Sequence, residues 1–170
     1  LERFMCAHAI MFALEGIPGL YIHSLLGTTN DYERFENSQH NRAINRHRWQ
    51  ESKLLSALGD KYSHHHKVFN GIKHLLGIRK KQSAFHPNAT QFTLHLAGGL
   101  FGFWRQSIDR RQSIFCVYNI SDKPQVLTLA DLNLINTQQW FDLVANETIT
   151  EDQLTIELEP YQSVWLSNIK

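Results

Sequence analysis

Net charge is nearly absent from this sequence, in which 17 lysines and arginines stand against 16 aspartates and glutamates for a formal charge of +1. Such a balance offers no basic field for nucleic acid and none for a membrane surface. Long apolar runs are missing too. None approaches the ~20 residues needed to cross a bilayer, and no zone of basic, apolar and small residues reads as a signal peptide. Cysteine is scarce. Cys6 and Cys116 show no metal or redox spacing and are read as two buried thiols of a reducing, cytoplasmic compartment. The motifs G-x-S-x-G, G-x-x-x-x-G-K and H-E-x-x-H do not occur, which removes the nucleophile elbow, the phosphate-cradling loop and the two-histidine zinc helix. With 170 residues the chain is too short for a complete (β/α)8 barrel of about 250. It starts at Leu1 inside a helical pattern, without an initiator methionine. The expectation is a carboxyl-terminal piece of a longer enzyme.

What is present begins with residues 1–14, where Phe4, Met5, Ile10, Met11, Phe12 and Leu14 are apolar around most of a helix that must be covered on more than one side. His8 in this helix is read as structural. Residues 17–22 form a short apolar run with Pro18 and Gly19 at its entrance, predicting a buried strand. A polar loop, 23–48, follows, and loops of that length are usually functional or disordered. Tyr32, Phe35 and Ile44 give it anchors and favour a folded one. Leu54, Leu55 and Leu58 predict a short helix over 50–58, stopped by Gly59. The three adjacent histidines, 64–66, invite a zinc reading, but neighbours at i and i+1 diverge on a helix. A last helix, about 65–81, carries Val68, Phe69, Ile72, Leu75 and Leu76 at helical spacing and ends on Arg79, Lys80 and Lys81, which suit a negative helix terminus. No aromatic interleaving makes that basic run a nucleic-acid patch. Helix, strand, loop and helix in this order are the unit of a parallel barrel or doubly wound sheet, which binds ligands at the carboxyl end of its strands.

The texture changes at residues 83–87, and Pro87 with Asn88 marks a boundary between residues 1–84 and 88–170. Beyond it come seven short runs, at 91–97, 100–106, 113–120, 125–129, 138–143, 153–158 and 163–167, separated by turn signals such as Gly98, Gly99, Asp109 and Asn146. They predict an antiparallel β-sandwich with Phe101, Phe103, Trp104 and Trp165 in its aromatic core. The fold class expected is α+β.

Two stretches carry a family resemblance. Glu15, Gly16, Ile17, Pro18, Gly19, Leu20, Tyr21 and Ile22 match a G-x-P-x-x-Y segment that resembles the eighth barrel strand of the α-amylase family, glycoside hydrolase family 13. Gly27 to Asp31, followed by Asn41, Arg42, Ala43, Ile44, Asn45 and Arg46, are similar to the G-K-N-D-like turn and G-R-x-I-N-R motif of its sucrose phosphorylase branch, with Asn41 in place of the usual glycine. The resemblance implies that residues 1–84 are the last strand and helices of a (β/α)8 barrel, with 23–48 as its substrate-side loop, and that 88–170 are the all-β sandwich after it. The carboxylates Asp31, Glu33 and Glu36 taken alone are a possible glycosidase pair. The resemblance implies otherwise, since the family's nucleophile, acid/base and stabilising carboxylates precede this segment, so no residue here is expected to be catalytic. It implies that Arg42 reaches the glucosyl unit, where a guanidinium offers donors in a fixed fork. Asn30 and Asp31 are expected either to cap a turn or to stand at the acceptor mouth, and His40 to face the pocket. Asn45 and Arg46 are expected to anchor the loop. The implied reaction is glucosyl transfer to inorganic phosphate with retention, from sucrose, sucrose phosphate or glucosylglycerate, without metal or organic cofactor. A family hydrolase, or a non-catalytic sugar-binding or structural module, are the alternatives. The partners expected are a sugar substrate and further copies of the chain in a homodimer or larger assembly, because the strand at 17–22 would show an open edge.

Overall fold

The computed structural model describes residues 1–132 and 139–170. The chain divides into two compact units, residues 19–74 together with Leu1, and residues 2–18 together with 75–170.

The first unit is helical. Helix α2 (Ile22–Leu25) is a single turn, ended at Gly27, whose φ of +59° is a left-handed conformation that favours glycine. A Cβ there would lie 3.1 Å from Cβ of Val68, so this turn approaches its neighbour too closely for a side chain. Helix α3 (Tyr32–Ser38) starts where Asp31 caps it: Oδ1 accepts the Arg34 N–H at 3.0 Å, satisfying one of the orphan donors of the first turn. A 3-10 turn (Asn41–Asn45) is followed by α4 (Glu51–Gly59) and α5 (His64–Arg79), of which residues 64–74 belong to this unit. Ser63 caps α5 by accepting the His66 N–H at 3.0 Å.

The second unit is a sheet assembly with one helix laid on it. Helix α1 (Glu2–Ala13) buries Cys6, Ala9, Phe12 and Ala13, four positions on one face. Strands β1 (Thr90–Thr93), β2 (Leu100–Gln106), β3 (Ser113–Asn119), β8 (Ser163–Ser167), β5 (Trp140–Asp142) and β6 (Glu147–Ile149) form a six-stranded antiparallel sheet in that spatial order. Strands β4 (Gln125–Thr128) and β7 (Thr155–Leu158) pair as a separate ribbon. Alternation along β3 divides two packed surfaces. Phe115 and Val117 meet Val164 and Leu166 of β8 and Leu127 and Leu158 of the ribbon, together with Leu129, Leu132 and Trp140. Fully burying each of these large side chains contributes about 1.5–3 kcal/mol. The opposite face presents Cys116 and Tyr118, with Trp165 from β8. Tyr118 Oη donates to the Ala9 carbonyl of α1 at 3.3 Å, and the Trp165 indole N–H donates to Tyr118 Oη at 3.0 Å. Trp165 also meets Phe85 edge-on at 4.9 Å.

The helices predicted near 1–14, 50–58 and 65–81 are present, and so are the seven predicted strands, those at 100–106 and 163–167 with the expected bounds and the others with shifted ends. Gln138, the expected first residue of the fifth, lies outside the described residues. An eighth strand, β6, returns from β5 through a turn in which Asn146 takes φ +60°. Two expectations are corrected. Residues 17–22 form no strand, and Ile17 stands 86% exposed. A strand at that place needs flanking strands to take up its amides and carbonyls, and among the described residues none pairs with it. The stretch 23–48 is not one long loop, because α3 and the 3-10 turn occupy its middle. No helix among the described residues is long and apolar enough to cross a membrane.

Candidate functional site

Within the first unit the segment after Gly27 folds around Asp31. Its Oδ1 caps α3, its Oδ2 accepts the His47 Nδ1–H at 2.8 Å, and its backbone N–H donates to the Ile44 carbonyl at 2.7 Å. The Arg34 N–H, then the His47 ring, hold the Asp31 carboxyl below the ordinary carboxylate range. Arg34 Nη1 adds a further tie by donating to the Arg46 carbonyl. Helix α3 and the 3-10 turn are thus joined at three places, and the two sequence-distant ends of the motif are brought side by side.

Between them lies a cleft of about 380 Å³, lined by Arg34, Ser38, His40, Asn41, Arg42, Ala43 and Arg46. Arg34 and Ser38 stand four apart on α3 and so share one face. Arg42, Asn41 and Ala43 come from the 3-10 turn and Arg46 from its end. Ala43 is the buried member that seats the turn. Among the described residues the guanidinium groups of Arg42 and Arg46 have no hydrogen-bond or ion-pair partner, and no lining residue is acidic. The cleft therefore offers several unspent donors, all cationic or neutral, to whatever enters it.

Of the residues singled out from sequence, Arg42 and His40 line this cleft. Asn30 does not; its amide reaches only Tyr32 Oη, at 3.5 Å. Asp31 lies behind the wall as its cap and staple. Arg34 is not among the residues singled out from sequence, and Arg46 is expected there only as an anchor. The signal that finds Arg34 is Asp31 followed by Tyr32 and Glu33, a helix start that turns Arg34 and Ser38 to one side.

The histidine run has a structural part to play. His64 Nε2 bonds the Gly27 carbonyl at 3.0 Å, His65 Nδ1 the Leu26 carbonyl at 2.7 Å and His66 Nδ1 the Leu58 carbonyl at 2.7 Å. With each ring nitrogen donating to a carbonyl, His64 and His65, whose rings lie 3.8 Å apart, hold the turn at Leu26 and Gly27, and His66 holds the end of α4. Trp49 continues the same packing: its indole donates to Thr28 Oγ1 at 2.9 Å, and its ring meets His47 and His65 edge-on at 5.0 and 5.1 Å. Among the described residues no group of three or more histidines, cysteines or acids is placed to hold a metal ion.

No protein-family model matches the chain. It is 37% identical over 166 residues to glucosylglycerate phosphorylase of Allomeiothermus silvanus, a match covering 98% of this chain and 27% of that protein. Against glucosylglycerate phosphorylase of Spirochaeta thermophila it is 32% identical over 174 residues, covering 98% of this chain and 30% of that one. The chain thus spans less than a third of the length of the curated relatives it matches. Among solved structures, α-amylase from Geobacillus thermoleovorans complexed with acarbose superposes with a TM-score of 0.70 at 14% identity, over 98% of this chain and 33% of that chain. At that identity the likeness is one of fold.

Proposed function

We propose, from the premise that this chain corresponds to the carboxyl-terminal region of glucosylglycerate phosphorylases in the sucrose phosphorylase-like branch of glycoside hydrolase family 13, that it supplies one wall of the substrate site in a retaining glucosyl-transferring phosphorylase. Of the donors expected from sequence, glucosylglycerate is favoured by the names of the relatives. The parent takes inorganic phosphate as co-substrate and no metal or organic cofactor. The observation that carries the reading is the cleft where Arg42 and His40 meet with donors unspent. A guanidinium, with its donors in a fixed fork, gives hydrogen bonds to sugar hydroxyls that strengthen as charge develops at the reacting carbon.

Residues 1–84 in this reading end the catalytic barrel, and 88–170 are the domain after it. The exposed Ile17 supports that view, since an apolar segment without pairing is suited to become a strand when neighbours flank it. The isolated chain holds no catalytic acid and turns over nothing. The exposed apolar side chains of Ile17, Tyr21 and Ile22 are covered by a second copy, and light scattering at rising concentration should report a dimer or larger species; a monomer at millimolar concentration overturns that point. The test of the site is Arg42→Ala in the full-length parent, read as glucose 1-phosphate released from glucosylglycerate and phosphate. Loss of a donor aimed at the transition state should lower kcat by about 10²–10³. Near-normal kcat in a folded variant removes Arg42 from the site.

A further inference from the structure

The near-neutral charge of the chain hides a segregation. Residues 124–169 carry seven aspartates and glutamates and not one lysine, arginine or histidine, while residues 1–123 hold 16 of the 17 lysines and arginines, and all ten histidines, against nine acids. Within the second unit this segregation becomes two surfaces. The basic one is a groove of about 550 Å³ beside the end of α5. Ile17, Leu76 and Phe85 give it an apolar wall, Arg79, Lys80 and Lys81 give it cations, and no acid lines it. Glu15, two residues before Ile17, stands outside the lining, and its charge acts on Arg105. Arg79 spends its donors on the end of α1, but Lys80 and Lys81 are exposed and have no ion-pair partner among the described residues. Gln112 bonds Gln82, Ser83 and Ala84 and so pins the β2–β3 turn beside the groove, where Arg110 and Arg111 add charge against Asp109.

The acidic surface is the outer face of the β4–β7 ribbon with the turn that leads into it. Val126 is 62% exposed and faces Glu157 across the ribbon, and Leu154, just before β7, is 75% exposed. Glu147 in β6 and Glu151, Asp152 and Glu159 at the two ends of β7 are exposed too, and none has an ion-pair partner among the described residues. Bare apolar side chains scattered singly are ordinary on a protein surface. Here the same molecule also carries their complement, an apolar wall bordered by cations.

We propose that the acidic ribbon of one copy seats in the basic groove of a second, Leu154 against Ile17, Leu76 and Phe85, and the carboxylates of Glu151 and Glu157 against Lys80 and Lys81. Opposite charge orients the two surfaces and apolar contact adds burial. The contact gives a place and a driving force to the second copy expected over Ile17, and it does not depend on which reaction the parent performs. Groove and ribbon are different patches, so the copies associate head to tail.

The experiment follows the mass of the 170-residue chain by sedimentation at rising concentration in about 0.01 M and about 1 M sodium chloride, between which the Debye length falls from about 30 Å to about 3 Å. Association at low salt that weakens severalfold at high salt is expected. Lys80→Glu with Lys81→Glu, and separately Glu151→Lys with Glu157→Lys, should each weaken it at least about tenfold, because like charges then face each other. An equimolar mixture of these two variants should associate again, since the first keeps the original ribbon and the second the original groove; that recovery also shows that both fold. Leu154→Ser should weaken association at both salt concentrations. Association that salt and both charge reversals leave unchanged overturns this contact, while cover of Ile17 by apolar contact alone stands. Loss in each variant without recovery in the mixture overturns it as well, and a monomer at millimolar concentration in low salt overturns both.

Discussion

Replacing Arg105 by methionine should unfasten helix α1 from the sheet. Arg105 sits in β2, fully buried, with Nη1 donating to the Ala13 carbonyl at 2.6 Å and Nη2 to those of His86 and Ala89 at 2.9 and 3.3 Å. Arg79 works at the same helix end. It donates to the carbonyls of Phe12, Leu14 (3.4 Å) and Gly16 (2.8 Å), so the orphan acceptors of α1 are met by two cations, as the negative end of a helix dipole favours. Burial pushes the Arg105 guanidinium below its ordinary value, a sign that its charge is held at a cost. Methionine keeps the length of the stem but removes three charge-assisted hydrogen bonds, stranding the carbonyls of Ala13 and Ala89 and leaving that of His86 only the Ala89 N–H, at roughly 1–3 kcal/mol for each bond. Against this, the variant recovers the desolvation cost of a buried cation, several kcal/mol. The carbonyls belong to chain segments that cannot turn to water without lifting off, so a net loss of about 3 kcal/mol is expected. At about 2–4 °C per kcal/mol for a chain of this size, the thermal midpoint of the sheet unit should fall by roughly 6–12 °C. Hydrogen exchange distinguishes detachment from general weakening, since amides of α1 should lose protection before those of β3. Arg105→Lys should rescue little, because one ammonium does not span three carbonyls. A midpoint within about 2 °C of the wild type, with α1 still protected, would refute the reasoning.

The first unit is open to two independent perturbations. Gly27→Ala places a Cβ 3.1 Å from Val68 on a backbone at φ +59°, and should destabilise this unit by about 1–3 kcal/mol in urea unfolding; an unchanged midpoint would show that the turn relaxes freely. Asp31 has a folded pKa held down by Arg34 N–H and His47, so its contribution is present above the unfolded carboxylate value of about 4 and is lost as pH falls through the lower folded value. Asp31→Asn should therefore flatten the acid limb of a stability profile below about pH 4, and superimposable profiles for the two proteins would sink the assignment of Asp31 as the staple.

How much was legible in the sequence depended on how local the cause was. Strands β2, β3 and β8 were readable because alternating apolar residues between turn signals are a local pattern, and so was α5, with its helical spacing and basic end. Helix α3 was missed although its signal is local: Asp31 ahead of Tyr32 and Glu33 is a cap, but the polarity of the stretch reads as a loop when the cap is weighed only as a turn former. Strand β6 was missed because Glu147, Thr148 and Ile149 are too few to alternate, and only pairing with β5 defines them. Arg42 was found through its motif, which lies within a few residues. Arg34 becomes its neighbour only when Asp31 and His47 draw α3 and the 3-10 turn together, a contact that periodicity does not contain.

Residues 17–22 behave differently. Their composition is that of a buried strand, yet Ile17 is exposed and no pairing forms among the described residues. Pro18 contributes no amide and fixes its own φ, which is compatible with extended backbone but gives nothing toward a ladder. An isolated strand has no internal hydrogen bonds to hold it, unlike a helix, whose bonds close within a few residues. A helix such as α5 is therefore recorded in the segment that forms it, while a strand is recorded in the segment and in its neighbours together. On the reading proposed above, in which the chain is one part of a longer protein as it is of the relative it spans to 27%, the apolar run is the half of a ladder whose other half lies in neighbouring strands.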